Sequence, residues 1–425
     1  MKLIYLSLLF ALTVLTVKAQ NETNPAVEKF ARFYKANQAD SIFSLFSPEM
    51  KAAMKIESTT QFLAQVNGSL GAIVKTRFAG SPASGLSEYR LSFERPVVEL
   101  ALIIKDNLIA GIQQKAAEAA KNDPAPVESP DNFSVNNKVG DLHGTILLPK
   151  ADGKVPVVLM IGGSGPTDRN MNQGQALKSN SFLMLAEGLA VNGIASVRYD
   201  KRGVGKSIAA HHPAEVKLDD FIDDAQLFVV KLKADPRFSK VIVLGHSEGS
   251  TIGLMASLAT KPDAFISLSG VGSDIADVMK KQFKALAGAE DFKIAAEVLD
   301  SLKASKMVNR NLPPALSSIF TPSTQAFLIS SMKYNVTQEI SKLKIPVLIA
   351  GGSTDLQVAG EEAQLLAKAN PKATLKLFTG MNHVLKPAPA DRMLNIQTYN
   401  NPELPLHEEL IPYLSGFINK IPGRK

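Results

Sequence analysis

Short apolar runs alternate with amphipathic stretches through the larger, C-terminal part of the chain. Runs rich in Val, Ile, Leu and Phe predict seven buried strands, at residues 144–148, 155–161, 194–199, 240–244, 264–268, 345–350 and 373–378. Helical patterns lie between them, such as the apolar face of residues 218–233. Buried strands alternating with amphipathic helices are typical of a doubly wound, mostly parallel sheet. We therefore predict an α/β fold for residues 132–425.

The N-terminal part follows another order, with helices first and strands second. Val27, Phe30 and Tyr34 share one helix face, and apolar runs follow at residues 72–78, 89–93, 97–104 and 108–112. The last two runs are separated by Lys105-Asp106-Asn107, which favours a tight hairpin turn. Residues 24–116 are therefore predicted to form a small α+β domain with helices over an antiparallel sheet. This stretch contains no histidine, so it offers no catalytic constellation.

Two further segments differ in composition. Residues 117–131 contain three prolines among charged and small residues, which is typical of a linker. The chain begins with Met1-Lys2 and an uncharged apolar run over residues 3–17, and Val17 and Ala19 supply the small residues at the −3 and −1 positions of a cleavage site. This pattern predicts a signal peptide over residues 1–19, cleaved after Ala19, and hence a secreted or periplasmic protein. An uncleaved anchor is disfavoured because the run is short for a membrane span.

Composition narrows the classes of function. The absence of cysteine excludes disulfides, thiolate metal sites and a lipid anchor on an N-terminal cysteine. The net charge of +7 comes from lysines interspersed with acids, without the arginine-rich stripe of a nucleic-acid-binding surface. We therefore predict no nucleic-acid partner and no membrane span after signal cleavage. No motif predicts a cofactor or a metal ion, and the oligomeric state is not predicted.

The pentapeptide Gly245-His246-Ser247-Glu248-Gly249 directly follows the apolar run 241–244 and precedes a predicted helix over residues 250–260. Strand, G-x-S-x-G, helix is the arrangement of a nucleophile elbow, a sharp turn that presents a serine hydroxyl above the sheet. Glycines flank the serine because a larger residue two positions away would collide with the backbone. The bare pattern also occurs at ordinary strand ends, so the interpretation depends on partners for Ser247.

A nucleophilic serine needs a base and an acid that orients it, both later in the chain in this arrangement. Among six histidines, His383 follows the last predicted strand, at the sheet edge where open α/β folds bind ligands. Asp355 follows the preceding strand and can accept the imidazole N–H, although it also fits a helix N-cap. Glu361 and Glu362 are less suitable because they fall inside the next helix. We predict a triad of Ser247, Asp355 and His383.

An oxyanion hole needs two backbone N–H groups. The N–H of Glu248, which follows the nucleophile at the start of its helix, is expected to be one of them. The other is expected from the glycine-rich loop after residues 155–161, with Ser164 the first choice and Gly163 the second. The Gly-Lys-Ser sequence at 205–207 is no phosphate-binding loop, because Asp200 stands where that motif needs glycine.

These motifs together resemble the α/β-hydrolase superfamily over residues 132–425. The resemblance to the superfamily rests on the triad, the loop 163–165 and the turn 200–207. Residues 163–170 and 381–383 are similar to a subgroup of secreted esterases near the serine-aminopeptidase-like hydrolases. The resemblance implies a sheet of about eight strands and a helical cap inserted after the sixth strand, here residues 271–342. The N-terminal module, with Phe46-Ser47-Pro48-Glu49-Met50-Lys51, is similar to an uncharacterised small module found ahead of secreted hydrolases.

Within the insert, the sequence offers candidates for a substrate pocket. Helices are expected near residues 274–286, 293–304 and 324–332. Four apolar residues could line an acyl pocket, but each is more typical of packing between the cap and the core; they are Phe283, Leu316, Phe320 and Phe327.

The residues predict a secreted serine carboxylesterase that cleaves small-molecule esters of short to medium acyl chains through an acyl-enzyme on Ser247. Two alternatives remain open. A peptidase of the serine-aminopeptidase type needs cap acids for the free amine of its substrate, and Glu290, Asp291, Glu297 or Asp300 could serve. A non-catalytic binding protein would use the hydrolase fold as a scaffold. The sequence assigns no role to residues 24–116.

Overall fold

The computed structural model describes residues 24–82, 84–94, 98–116, 132–174, 177–210 and 216–423. They fall into two compact units, a smaller one within the residues up to Lys115 and a larger one from Ala116 onward. The predicted signal peptide and the predicted linker lie outside the described residues. No helix in the described ranges has both the length and the apolar character needed to cross a membrane.

The N-terminal unit combines helices with a four-stranded sheet in the order β1-β2-β3-β4, so the predicted α+β arrangement is confirmed. Its elements are α1 Pro25–Lys35, α2 Ala39–Ser44, α3 Pro48–Ala53, α4 Ile56–Leu70, β1 Ile73–Gly80, β2 Ser87–Phe93, β3 Val98–Lys105 and β4 Leu108–Ala116. Tyr34 of α1 meets Phe93 of β2 edge-on, with ring centroids 5.8 Å apart. Asp106 and Asn107 both have positive φ, at 50° and 58°, as a two-residue type I′ hairpin turn requires.

The larger unit alternates strands and helices along the chain. Its elements up to the cap are β5 Val135–Asn136, β6 Asp141–Leu142, β7 Gly144–Leu147, β8 Val155–Ile161, β9 Asn172–Gln173, β10 Leu177–Lys178, α5 Ser181–Val191, β11 Ala195–Tyr199, α6 Leu218–Ala234, β12 Phe238–His246, α7 Glu248–Thr260 and β13 Ala264–Leu268. The remainder are α8 Ile275–Leu286, α9 Ala289–Lys303, α10 Pro314–Ile319, α11 Pro322–Ser331, α12 Val336–Ser341, β14 Val347–Gly352, α13 Gly360–Ala369, β15 Thr374–Phe378, α14 Arg392–Gln397 and α15 Leu410–Lys420. Short 3₁₀ helices occupy Gly205–Ala210 and Thr398–Asn400.

Seven strands form the main sheet of this unit, in the order β15-β14-β13-β12-β8-β11-β7. β7 is antiparallel to β11, and the pairs from β11 to β15 are parallel, so the predicted α/β fold is confirmed. The described residues contribute seven strands to the main sheet, against an expectation of about eight, and β5 and β6 pair with each other in a separate ladder. The Asn137 side chain accepts from the N–H groups of Val139 and Gly140, which folds this segment back on itself.

Both faces of the sheet are covered, which explains why its strands are continuously apolar. On the central strand β12, Val241 and Val243 belong to the hydrophobic cluster that contains α6 and α7 side chains. The intervening Ile242 and Leu244 belong to the cluster that contains side chains of α5 and α15. Each fully buried aliphatic side chain of this kind contributes about 1.5–3 kcal/mol. The core thus holds the carboxyl ends of the parallel strands in fixed positions.

A helical insert lies between β13 and β14, where residues 271–342 were expected to form a cap. It contains the five helices α8 to α12, of which α10 and α12 were not expected; each has only six residues, too few for a clear helical period. Leu316 and Phe320 are buried in a cluster within the insert, and Phe283 packs on it, so these three serve packing. Phe327 instead packs against the cluster of the main sheet.

Candidate active site

Ser247 occupies the turn between β12, which ends at His246, and α7, which begins at Glu248. Its backbone has φ 55° and ψ −124°, a sparsely populated region that costs about 1–3 kcal/mol. A Cβ on Gly249 would lie 2.3 Å from the carbonyl oxygen of Ile161, and a Cβ on Gly245 would lie 2.1 Å from that of Gly249. The two glycines are therefore required by close backbone approaches, as the elbow interpretation predicts.

Asp355 and His383, which follow β14 and β15, are brought together. His383 Nδ1 lies 2.9 Å from Asp355 Oδ2, while Asp355 Oδ1 accepts the N–H groups of Gln357 and Val358. Burial alone would raise the pKa of Asp355, but the neighbouring His383 and the hydrogen bonds outweigh it and hold the pKa below its usual value. The carboxylate is thus ionised and aimed at the imidazole, and its backbone contacts close a turn rather than cap α13.

The loop after β8 passes directly beside the elbow. A Cβ on Gly163 would lie 3.1 Å from the Cβ of Ser247. Among the described residues, the backbone N–H groups of Gly163, Ser164 and Glu248 have no hydrogen-bond acceptor. Unpaired donors are expected at the start of a helix such as α7, and here they lie next to a serine hydroxyl. The oxyanion-hole role of these three residues stays a prediction, with which their unpaired N–H groups are compatible.

The family model described as serine aminopeptidase, S33, matches residues 171–386. The chain belongs to this family of α/β-hydrolases. The matched range contains Ser247, Asp355 and His383, but it begins after the glycine-rich loop that follows β8. The resemblance to serine-aminopeptidase-like hydrolases is therefore confirmed, while the catalytic roles of individual residues stay predictions.

Other similarities of this hydrolase extend over most of the chain. Esterase EstD of Thermotoga maritima is 24% identical over 368 residues, which span 84% of this chain and 86% of that protein. Est1E from Butyrivibrio proteoclasticus has a TM-score of 0.44 at 17% identity, covering 68% of this chain and 99% of that one. An esterase of Pyrococcus furiosus has a TM-score of 0.46 at 17% identity, covering 72% and 97%.

His246 has a role in this hydrolase that sequence reasoning missed. Its Nε2 lies 2.8 Å from the carbonyl oxygen of His383, and the two ring centroids are 4.7 Å apart. Burial, together with the nearby His383, lowers the pKa of His246 to about 3, so its ring is neutral. Because a carbonyl oxygen only accepts, Nε2 carries the proton and donates it. His246 thus holds the His383 loop next to the nucleophile that follows it in the chain.

Because His246 directly precedes Ser247, its contact with His383 brings the serine near the imidazole without joining the two directly. Among the described residues, the Ser247 hydroxyl makes no hydrogen bond with the His383 imidazole. Catalytic hydrogen bonds of this kind are often long until substrate binds. The geometry therefore unites Asp355 with His383 and places Ser247 beside them.

Glu361 and Glu362, the less favoured acids of the sequence analysis, have no place in the triad. Glu361 is exposed, whereas Glu362 is buried on α13. Glu362 accepts the N–H groups of Gly272 and Ser273 at 3.0 and 2.7 Å and the Ser273 hydroxyl at 3.0 Å. Burial opposes ionisation, but these hydrogen bonds hold the pKa of Glu362 below its usual value. It therefore anchors the first residues of the insert.

A cavity of about 610 Å³ opens in front of Ser247. Ser164 and Glu248 line it on the side of the sheet, and Val278, Met279 and Phe327 line it on the side of the insert. No group of three or more His, Cys, Asp or Glu side chains in the described ranges is placed to hold a metal ion. The insert thus forms a largely apolar wall, with polar side chains such as Thr324 and Tyr334 among the apolar ones, opposite the serine and the N–H donors.

Proposed function

We propose that this protein is a serine carboxylesterase that forms an acyl-enzyme on Ser247. The observation that carries the proposal is a strained serine beside unpaired backbone N–H donors, with a buried Asp355–His383 pair at the same sheet edge. Similarity to Thermotoga maritima EstD, named an esterase, supports the ester bond as the target.

The reaction takes place in two halves. Ser247 Oγ attacks the ester carbonyl carbon and passes its proton to His383 Nε2, while Asp355 holds the Nδ1–H and stabilises the imidazolium. The oxyanion accepts hydrogen bonds from the N–H groups of Ser164 and Glu248, each contributing about 3 kcal/mol in the transition state. The alcohol leaves with the proton from His383, and water deprotonated by His383 then releases the acid.

The cavity supports substrates of short to medium acyl chains. Its volume of about 610 Å³ lies within the range of small-molecule sites, and its apolar wall can bury methylene groups at about 0.8 kcal/mol each. A small-molecule ester is therefore the proposed substrate.

Four acids of the insert were candidates for holding the free amine of a peptide. Glu297 pairs with Arg310 and Asp300 with Lys280. Neither these acids nor Glu290 and Asp291 line the cavity. The geometry of the described residues therefore favours an ester over a peptide with a free amino terminus.

We also propose that the protein is exported from the cytoplasm. Residues 1–19 have the pattern of a cleaved signal peptide, so the mature protein is proposed to begin at Gln20, outside the cytoplasm. N-terminal sequencing of protein recovered from the periplasm or medium tests this, and an intact Met1 in the exported protein would contradict it.

The test of the activity is a Ser247→Ala variant on p-nitrophenyl esters from acetyl to palmitoyl and on amino-acid anilides. We expect ester turnover highest with short to medium chains, and a loss of about 10⁴-fold or more in kcat for the variant. Ser257→Ala is the matched control, because Ser257 lies on α7 with a buried hydroxyl that has no hydrogen-bond partner within the described ranges. Full activity of Ser247→Ala would contradict the proposal.

A further inference from the structure

Lys201 is a buried lysine beside the loop that follows β8, and it is among the residues that line the cavity in front of Ser247. Its side chain is only 4% exposed, and Nζ lies 2.8 Å from the carbonyl oxygen of Gly163 and 3.4 Å from Glu248 Oε1. We propose that Lys201 is a positioning residue that orients and polarises the Ser164 N–H donor of the oxyanion hole. The inference rests on the proposed function, since it concerns the same site.

The first argument concerns one peptide group. The carbonyl of Gly163 and the N–H of Ser164 belong to the same planar peptide unit, so fixing the direction of one fixes the direction of the other. A hydrogen bond from an ammonium is stronger than one from a neutral donor. Because linked hydrogen bonds polarise one another, a cation on the carbonyl also makes the N–H a better donor. Lys201 therefore acts on the Ser164 N–H through the Gly163 carbonyl, the other end of the same peptide group.

The second argument concerns the other donor. Glu248 supplies the second N–H, and its carboxylate is the charge partner of Lys201. One ammonium thus links the loop after β8 to the first residue of α7. The ring of Phe221 lies 4.7 Å from Nζ and shields a further side of the charge. A buried lysine held by these three partners keeps the two donors at a set spacing.

Other side chains hold the same loop at a different peptide group. The Thr167 hydroxyl and the Gln173 side-chain amide donate to the carbonyl of Ser164 at 3.0 and 2.8 Å. The Thr167 hydroxyl is 3.4 Å from the Gly163 carbonyl, too long for a strong hydrogen bond. Lys201 is therefore the principal contact to the peptide that bears the Ser164 N–H.

The experiment compares Lys201→Met with Lys206→Met, the same change at an exposed lysine of the same turn. Loss of one oxyanion donor costs about 10²–10³ in kcat, so a donor left in place but loosened should cost about 10- to 100-fold. We expect Lys201→Met to lower kcat on p-nitrophenyl acetate in this range with little change in KM. Affinity for an aryl trifluoromethyl ketone, whose serine adduct carries an oxyanion, should fall by the same factor.

A purely structural role predicts a different outcome, namely a lower melting temperature with kcat and ketone affinity retained by the folded fraction. That result overturns the inference. It leaves the proposed function intact as long as Ser247→Ala is inactive, whereas an active Ser247→Ala overturns the function itself.

Glu248→Gln keeps the backbone donor and the side-chain shape while it removes the charge that faces Lys201. It provides the test if Lys201→Met fails to fold. We expect a smaller loss in kcat, matched by an equal loss in ketone affinity, and retention of both contradicts the inference. Lys201→Arg, which keeps the charge, should recover part of both losses.

Discussion

The two walls of the cavity in front of Ser247 are built in different ways. On the sheet side, strand ends and backbone N–H groups form the wall. A Cβ added to Gly245 or Gly249 would lie only 2.1 or 2.3 Å from a carbonyl oxygen, so the turn at Ser247 has no room for a larger residue. On the opposite side, helices packed around their own hydrophobic cluster present apolar side chains. Hydrogen bonds also connect this insert to the rest of the unit. The Ser273 N–H donates to Glu362, the Leu218 N–H donates to the Ser330 hydroxyl, and the Tyr334 hydroxyl donates to Asp219.

This difference predicts that the two walls control different properties of the enzyme. The sheet side is expected to control the rate of turnover, and the insert is expected to control which acyl chains are accepted. Changes on the sheet side should abolish turnover for every substrate, because they disturb the groups that we propose to contact the reacting carbonyl. Changes in the insert should alter which acyl chain fits while the chemistry persists. The predictions below test this separation, from the largest expected effect to the smallest.

Asp355→Asn should have the largest effect. The amide in place of the carboxylate cannot stabilise an imidazolium and favours the wrong tautomer of His383, so kcat should fall about 10⁴-fold for short and long esters alike. Glu361→Gln, an exposed acid nearby, is the control in the same steady-state assay. A loss below tenfold would remove Asp355 from the catalytic machinery.

Gly249→Ala should destabilise the elbow itself. Its Cβ would meet the carbonyl oxygens of Ile161 and Gly162 at 2.3 and 2.6 Å, so we expect a loss of about 3 kcal/mol or more in unfolding free energy. Gly416→Ala on α15 meets nothing within 4 Å and should stabilise by up to about 1 kcal/mol. Urea denaturation of both variants measures the contrast, and equal stabilities would show that the close approach at Gly249 can relax.

Glu362→Gln should affect the insert rather than the chemistry. Replacing a buried carboxylate that accepts hydrogen bonds from Gly272 and Ser273 should cost about 2–3 kcal/mol of stability. Because the insert forms the apolar wall, the preferred acyl length should shift while kcat on acetyl esters stays close to wild type. Glu361→Gln again serves as the control, and an equal loss of kcat on every chain length would contradict the separation.

His246→Gln should have the smallest effect, seen only in acid. The folded state holds the pKa of His246 near 3 against an ordinary 6.5, so between these values only the unfolded chain binds the proton. Wild-type stability should therefore fall with decreasing pH in this window by up to about 1.4 kcal/mol per unit. The variant keeps an N–H for the His383 carbonyl and should lose about 1–2 kcal/mol less between pH 7 and 5. Parallel pH profiles in urea denaturation would contradict this.

Local patterns in the sequence were sufficient for the strands of the main sheet and for the strand–turn–helix geometry at Ser247. Continuous apolar runs mark strands buried on both faces, and the strand–glycine–serine–glycine–helix order depends only on adjacent residues. Asp355 and His383 could be chosen because the ends of parallel strands meet at one sheet edge. The short helices α10 and α12 and the small β5–β6 ladder have too few residues for a clear period.

Contacts between distant residues could not be predicted in this way. Glu362 lies 90 positions from Gly272, and Lys201 lies 38 positions from Gly163. In the sequence Glu362 is one acid of an amphipathic helix and Lys201 one lysine of a polar turn. Their roles depend on burial and hydrogen-bond partners that only the folded chain supplies. His246 could have been suspected only from its place beside the nucleophile.

The most direct test of the account is reaction of the wild-type protein with a fluorophosphonate, followed by peptide mapping. We expect one adduct per chain, on Ser247 within the tryptic peptide of residues 241–280, because the Lys261–Pro262 bond resists trypsin, with activity lost in proportion to labelling. His383→Ala should slow the labelling sharply, because the base is missing. An active enzyme that takes no label on this peptide, or takes it on another serine, would contradict the account.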